Sequence, residues 1–115
     1  MMQQEDTLPR PIIGVGTYTM GVQPGTIEAE WFYSELDEHK TLKGLARGGT
    51  PGIIEGDYEV AYFDSSGSVK AEFELEIIRN GKTFDLYWSK NGDIQLFGVG
   101  FEHGDGMVLS YRPLD

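Results

Sequence analysis

The stretch Val69-Lys70-Ala71-Glu72-Phe73-Glu74-Leu75-Glu76-Ile77-Ile78-Arg79 decides the fold. Val69, Ala71, Phe73, Leu75 and Ile77 alternate with Lys70, Glu72, Glu74 and Glu76. Side chains on a strand alternate between two faces, so this pattern separates an apolar face from a charged one. A helix would mix the two sets on every face. The strand runs into Asn80-Gly81, a two-residue hairpin signal.

Reading outward, the same grammar repeats. Thr83–Ser89 carries Phe84, Leu86 and Trp88 together, and Asn91-Gly92 gives a second hairpin signal. Ile94–Glu102 is the next strand and Gly104-Asp105-Gly106 the next turn. Met107–Arg112 follows, with Met107, Leu109 and Tyr111 inward. Upstream, Gly56–Phe63 puts Tyr58, Val60 and Tyr62 on one face, and Asp64-Ser65-Ser66-Gly67 turns the chain into the deciding strand. Loops this short make a meander in which each strand pairs with its chain neighbour.

The first half is less regular. Thr26–Tyr33 alternates cleanly, with Ile27, Ala29, Trp31 and Tyr33 opposite Glu28 and Glu30. Ile12–Thr19 reads as a strand interrupted by Gly14 and Gly16, and Thr41–Arg47 as a short strand. Ser34–Lys40 is a charged connection with room for one helical turn, and residues 48–52 form a loop. Met1–Pro11 reads as a disordered or loosely attached lead-in, because the prolines of Leu8-Pro9-Arg10-Pro11 disfavour a helix. Residues 12–115 then form one domain of seven or eight strands. Closing such a sheet into a barrel removes its two exposed edges. A two-sheet sandwich would need long crossing connections, and few segments here could supply them. An internal echo, Ile13-Gly14-Val15-Gly16 against Phe97-Gly98-Val99-Gly100, suggests equivalent strands near the place where the barrel closes.

Composition restricts function. The chain has 115 residues, no cysteine and a net charge of −10. Disulfides and thiol chemistry are therefore absent. So acidic a chain lacks the cationic groups that bind nucleic acid, and it would be repelled by anionic membranes. Neither a signal peptide nor a run of about 20 apolar residues is present, so a cytoplasmic location is the default expectation.

From Leu42 to Tyr111 the chain resembles a group of short, mostly uncharacterised bacterial proteins with a calycin-like barrel, the fold of lipocalins, fatty-acid-binding proteins and avidins. The likeness rests on Gly44-Leu45-Ala46-Arg47, Gly56-Asp57-Tyr58, Tyr62-Phe63-Asp64, Leu86-Tyr87-Trp88, Gly98-Val99-Gly100 and Leu109-Ser110-Tyr111. It implies an eight-stranded antiparallel barrel. It implies no chemistry: Gly16-Thr17-Tyr18 stands where lipocalins carry Gly-x-Trp, and the biotin-holding polar residues of avidins have no counterpart.

Several motifs invite functional readings and are better explained otherwise. Gly14-Val15-Gly16 lacks the third glycine and following helix of a dinucleotide loop. Glu102-His103-Gly104-Asp105 and Asp37-Glu38-His39 offer metal-binding atoms, but strand neighbours point apart and the chain has only two histidines. Asp64-Ser65-Ser66-Gly67-Ser68 lacks most of a calcium loop's ligands. Glu72, Glu74 and Glu76, joined by Glu28 and Glu30, make an acidic outer wall. No nucleophile–base pair, metal set or cofactor motif emerges, so no enzyme is expected.

One feature points to function. Trp31, Tyr58, Tyr62, Phe73, Trp88 and Tyr111 fall on inward positions. A barrel of eight strands is just wide enough to be filled by side chains or to hold one small ligand. These six residues are the candidate site for a small apolar or aromatic molecule. The alternative is a filled barrel that acts by assembly, as a homo-oligomer, through apolar residues on its outer wall such as Phe63, Ile78, Tyr87 or Phe97.

Overall fold

The computed structural model describes residues 8–36 and 39–114. Eight strands follow in chain order: β1 (Gly14–Met20), β2 (Ile27–Tyr33), β3 (Leu42–Arg47), β4 (Gly56–Phe63), β5 (Val69–Asn80), β6 (Thr83–Lys90), β7 (Asp93–His103) and β8 (Gly106–Pro113). Each pairs antiparallel with its neighbour, and β8 pairs with β1, which closes the barrel. The fold is the all-β meander barrel that the alternation implies.

The hairpin chemistry explains the tight turns, with one shift. Asn91 and Gly92 both have positive φ and form a two-residue loop between Lys90 and Asp93, the backbone that matches strand twist. At the preceding hairpin Asn80 pairs with Thr83, so the loop is Gly81-Lys82 rather than Asn80-Gly81. Gly81, at φ 67°, supplies the positive φ by itself. Between β4 and β5, Asp64 Oδ1 accepts from Ser66 N (2.9 Å), Ser66 Oγ (2.6 Å) and Ser68 N (3.1 Å). Its lone pairs are spent on the turn, which explains the clustered oxygens of that loop and holds the Asp64 carboxyl below its ordinary pKa.

Inward and outward faces follow the alternation. Ile27, Ala29 and Trp31, Tyr58, Val60 and Tyr62, Leu75 and Ile77, Phe84, Leu86 and Trp88, and Met107 and Leu109 are buried. Glu28, Glu30, Glu72, Glu74 and Glu76 are exposed. Val69 departs from expectation. The register shifts between Tyr62 and Phe63, and Val69, at the end of β5, is exposed.

The glycine echo proves to be a matter of register. Gly14 and Gly98 both pair with Tyr111, and Gly16 and Gly100 both pair with Leu109. The two glycine strands flank β8 from either side. Their glycines make room rather than kinks: a Cβ on Gly14 would lie 2.0 Å from the Tyr111 ring, and one on Gly98 3.0 Å from the Trp88 ring. After Gly16 the strand continues to Met20 and turns into β2, so the helix of a dinucleotide site has no place here.

The loop between β3 and β4 packs at one end of the barrel. Its Ile54 is buried in the core with Tyr58, whose hydroxyl donates to the Ile54 carbonyl (2.8 Å) and lies 3.2 Å from that of Ile53. At the other end, Ser34 fastens the segment before β1. Its hydroxyl donates to Pro11 O (2.8 Å) and accepts from Ile13 N (3.0 Å), while Arg10 donates to its carbonyl. The lead-in expected from 1 to 11 lies outside the described residues up to Thr7. In the charged connection, Asp37 and Glu38 lie outside the described residues, and the flanking residues form turns and bends.

Candidate functional site: an aromatic cavity at one end of the barrel

Burying large side chains at matched heights fills most of the barrel, but not its end beside Ser34. There a cavity of about 260 Å³ lies among Gly14, Trp31, Tyr62, Phe73, Trp88 and Tyr111, with Tyr33, Ala71 and Leu96 beside them and Ile12, Lys70 and Pro113 at the rim. Five of the six candidate residues line it. Tyr58 does not. It shares the inward face of β4 but sits at the opposite end, held by the β3–β4 loop.

The rings pack in two groups. Trp31 stacks on Tyr33 with centroids 6.0 Å apart, and meets Tyr62 edge-on at 5.5 Å. Tyr62 meets Phe73 edge-on at 6.2 Å, and Trp88 leans on Tyr111 at 5.6 Å. Edge-on and offset contacts suit the charge distribution of aromatic rings and fix their positions. Small residues set the depth. Gly14 and Gly98 let Tyr111 and Trp88 lie flat against the sheet, and a Cβ on Gly44 would meet the Tyr62 ring at 2.7 Å.

The polar tips of these rings are mostly engaged. Trp31 Nε1 donates to Lys43 O (2.9 Å), and the Tyr111 hydroxyl lies 3.3 Å from Phe32 O. Trp88 Nε1 donates to the Tyr62 hydroxyl (2.7 Å), which is also bonded to the Tyr18 hydroxyl (2.5 Å). Burial pushes the Tyr62 phenol up to about 12, although its bonds to Tyr18 and Trp88 oppose this. Burial, reinforced by Tyr62, pushes Tyr18 well above its ordinary value, and Tyr111 is raised mainly by burial. All three are therefore neutral hydrogen-bond donors at ordinary pH. Outside the cavity lining, Lys90 Nζ lies 5.0 Å from the Phe73 ring centre, a cation–π contact.

Sequence reasoning missed Tyr33, Ala71 and Leu96 on the wall and Tyr18 beneath it. Tyr18 was within reach, because period-two alternation from Gly14 and Gly16 puts it inward. Glycines carry no apolar signal, so the face did not register. Elsewhere, Glu102 is engaged with Arg79 (2.5 Å), which also binds Glu55 (3.0 Å) and covers the Phe84 ring. Among the described residues, no group of three or more acidic, histidine or cysteine side chains is placed to hold a metal ion.

Comparison of the chain with protein-family models, with curated proteins and with solved structures found no match.

Proposed function

We propose that the protein is a non-catalytic binding module that takes one small apolar or aromatic molecule into the ring-lined end of its barrel. The observation that carries this reading is the cavity itself: six rings placed inward by strand alternation surround about 260 Å³ rather than packing it shut. That volume lies just under the roughly 300–1,000 Å³ of pockets for drug-sized ligands. It exceeds the roughly 150 Å³ that holds benzene in an engineered cavity. The ligand that fits has one or two rings. The calycin-like resemblance agrees with a ligand-holding barrel and names no ligand.

The chain's two tryptophans both line the cavity, so tryptophan emission reports on it alone. Titration with small alicyclic compounds, which do not absorb in the same range, is expected to give a saturable change. Ala71→Leu, which narrows the cavity, is expected to abolish it. No saturable change up to the solubility of the probes would refute the reading.

The outer wall favours a second reading, assembly with another copy of the chain. Val15, Val99 and Phe101 are about half exposed and near one another: Val15 and Val99 both pair with Ser110, and Phe101 pairs with Val108, the next residue on the same face of that strand. Of the outward residues singled out from the sequence, Ile78 is exposed, whereas Phe63, Tyr87 and Phe97 are half-buried. Native mass spectrometry separates the readings, since it reports oligomer size and any retained small molecule together.

A further inference from the structure

The hydrogen bonds beneath the cavity do not balance. Trp88 Nε1–H, Tyr18 O–H and Tyr62 O–H are three donors, and they share two bonds, both ending on the Tyr62 oxygen. Every buried side-chain nitrogen and oxygen among the described residues has a partner, but one hydroxyl hydrogen has none. If Tyr62 donates to Tyr18, the Tyr18 hydrogen is unspent. If Tyr18 donates to Tyr62, the Tyr62 oxygen accepts twice and its own hydrogen is unspent. A buried donor left without an acceptor is costly. Tyr62 and Trp88 are on the cavity wall, whereas Tyr18 is not. The second arrangement leaves the spare hydrogen on the one of the two tyrosines that lines the cavity.

The charge pattern limits which acceptor suits it. The lining is apolar apart from these tips and Lys70 at the rim. Lys70 is exposed, so an anion at the buried end would lack a cationic partner there, and the net charge of −10 opposes its entry. No wall residue is a carboxylate, so an ammonium group would find no counter-ion.

Resting on the binding-module reading, we infer that Tyr62 donates a hydrogen bond into the cavity, and that the ligand is a compact, uncharged one- or two-ring compound with a single carbonyl oxygen at its buried end. Tyr62 is then the residue that selects carbonyl compounds from hydrocarbons of the same shape, with Tyr18 holding its hydroxyl in the donating orientation.

The test compares acetophenone with α-methylstyrene, which has the same outline but carries =CH2 in place of the carbonyl oxygen. Ligand-observed NMR titration gives the ratio of their affinities in the unmodified protein, in Tyr62→Phe and in Tyr18→Phe. Taking the ratio across variants cancels the difference in hydration between the probes. The ratio is expected to fall about fivefold in Tyr62→Phe, the worth of one hydrogen bond. Tyr18→Phe leaves the Tyr62 hydrogen unspent, so its ratio should still favour the ketone. A ratio unchanged by Tyr62→Phe, with both probes bound, overturns this inference and leaves the binding module standing. Failure of both probes to bind overturns both. Benzoate binding more tightly than acetophenone would also overturn it, by moving the acceptor to Lys70. Should Tyr62→Phe not fold, the infrared carbonyl stretch of acetophenone bound to the unmodified protein decides. A hydrogen-bonded frequency supports the inference, and a hydrocarbon-like one refutes it.

Discussion

Raising the pH through 10 to 12 tests the buried tyrosines directly. An unfolded tyrosine ionises near 10, whereas Tyr62 in the barrel holds its proton up to about 12. Below pH 10 both states keep the proton, and the stabilisation from this burial is fully present. Between 10 and 12 the unfolded chain releases it and the folded chain does not. Folding then takes up a proton, so stability falls as pH rises. At about 1.4 kcal/mol per pH unit, Tyr62 alone removes about 3 kcal/mol across that window. Tyr18 and Tyr111 move in the same direction and steepen the fall. Whole domains are stable by only about 5–15 kcal/mol, so the barrel should unfold before these phenols ionise in place. Urea melts at pH 8, 10 and 11 measure the slope, and tyrosinate absorbance counts ionised rings. Of the six tyrosines, Tyr18, Tyr62 and Tyr111 should ionise only with unfolding. Tyr62→Phe should be less stable at pH 8, by roughly 1–3 kcal/mol, because Trp88 N–H loses its acceptor, yet its stability should fall less steeply with pH. Six rings ionising together near pH 10 in a barrel that stays folded would refute the reasoning.

Two further perturbations follow from strand register. Glu59 lies directly opposite Glu74, and Asp57 opposite Glu76, on the exposed wall of β4 and β5. Glu74→Lys turns a repulsive cross-strand pair into an attractive one and should stabilise the protein by about 0.2–1 kcal/mol in urea melts, less in high salt. Gly14→Ala puts a methyl group inside the space of the Tyr111 ring. It should cost about 1–3 kcal/mol of overpacking and shift the Tyr111 ring resonances in NMR spectra.

Where side chains carried the pattern, the fold was legible. Glu72, Phe73, Glu74, Leu75 and Glu76 left no alternative to a strand, and Asn91-Gly92 fixed its hairpin. Where glycine stood inward, the pattern was silent. Gly14 and Gly16 read as interruptions because they have no side chain to register on a face, yet they, like Gly44, are inward positions at which a ring or backbone approaches closely. The site was legible as a face and not as a height. Alternation put Tyr58 and Tyr62 together, whereas they lie at opposite ends of the barrel, because period two says nothing of position along the axis. The Tyr18–Tyr62–Trp88 cluster joins three strands whose order in the barrel depends on closure, which no local signal specifies.

That closure has a kinetic meaning. Seven of the eight pairings join consecutive strands through local turns. The eighth brings Gly14 against Tyr111 across nearly the whole chain, and Ser110 bonds to Gly14 over a separation of 96 residues. Loop-closure entropy grows with the logarithm of length, so joining ends that far apart costs about 2.4 kcal/mol more than closing a loop of six residues. Contacts of that span are rewarded late in folding. Gly14 and Tyr111 are also cavity walls. The pocket is therefore completed by the pairing of greatest sequence separation, and its walls come together only where the two ends of the chain meet.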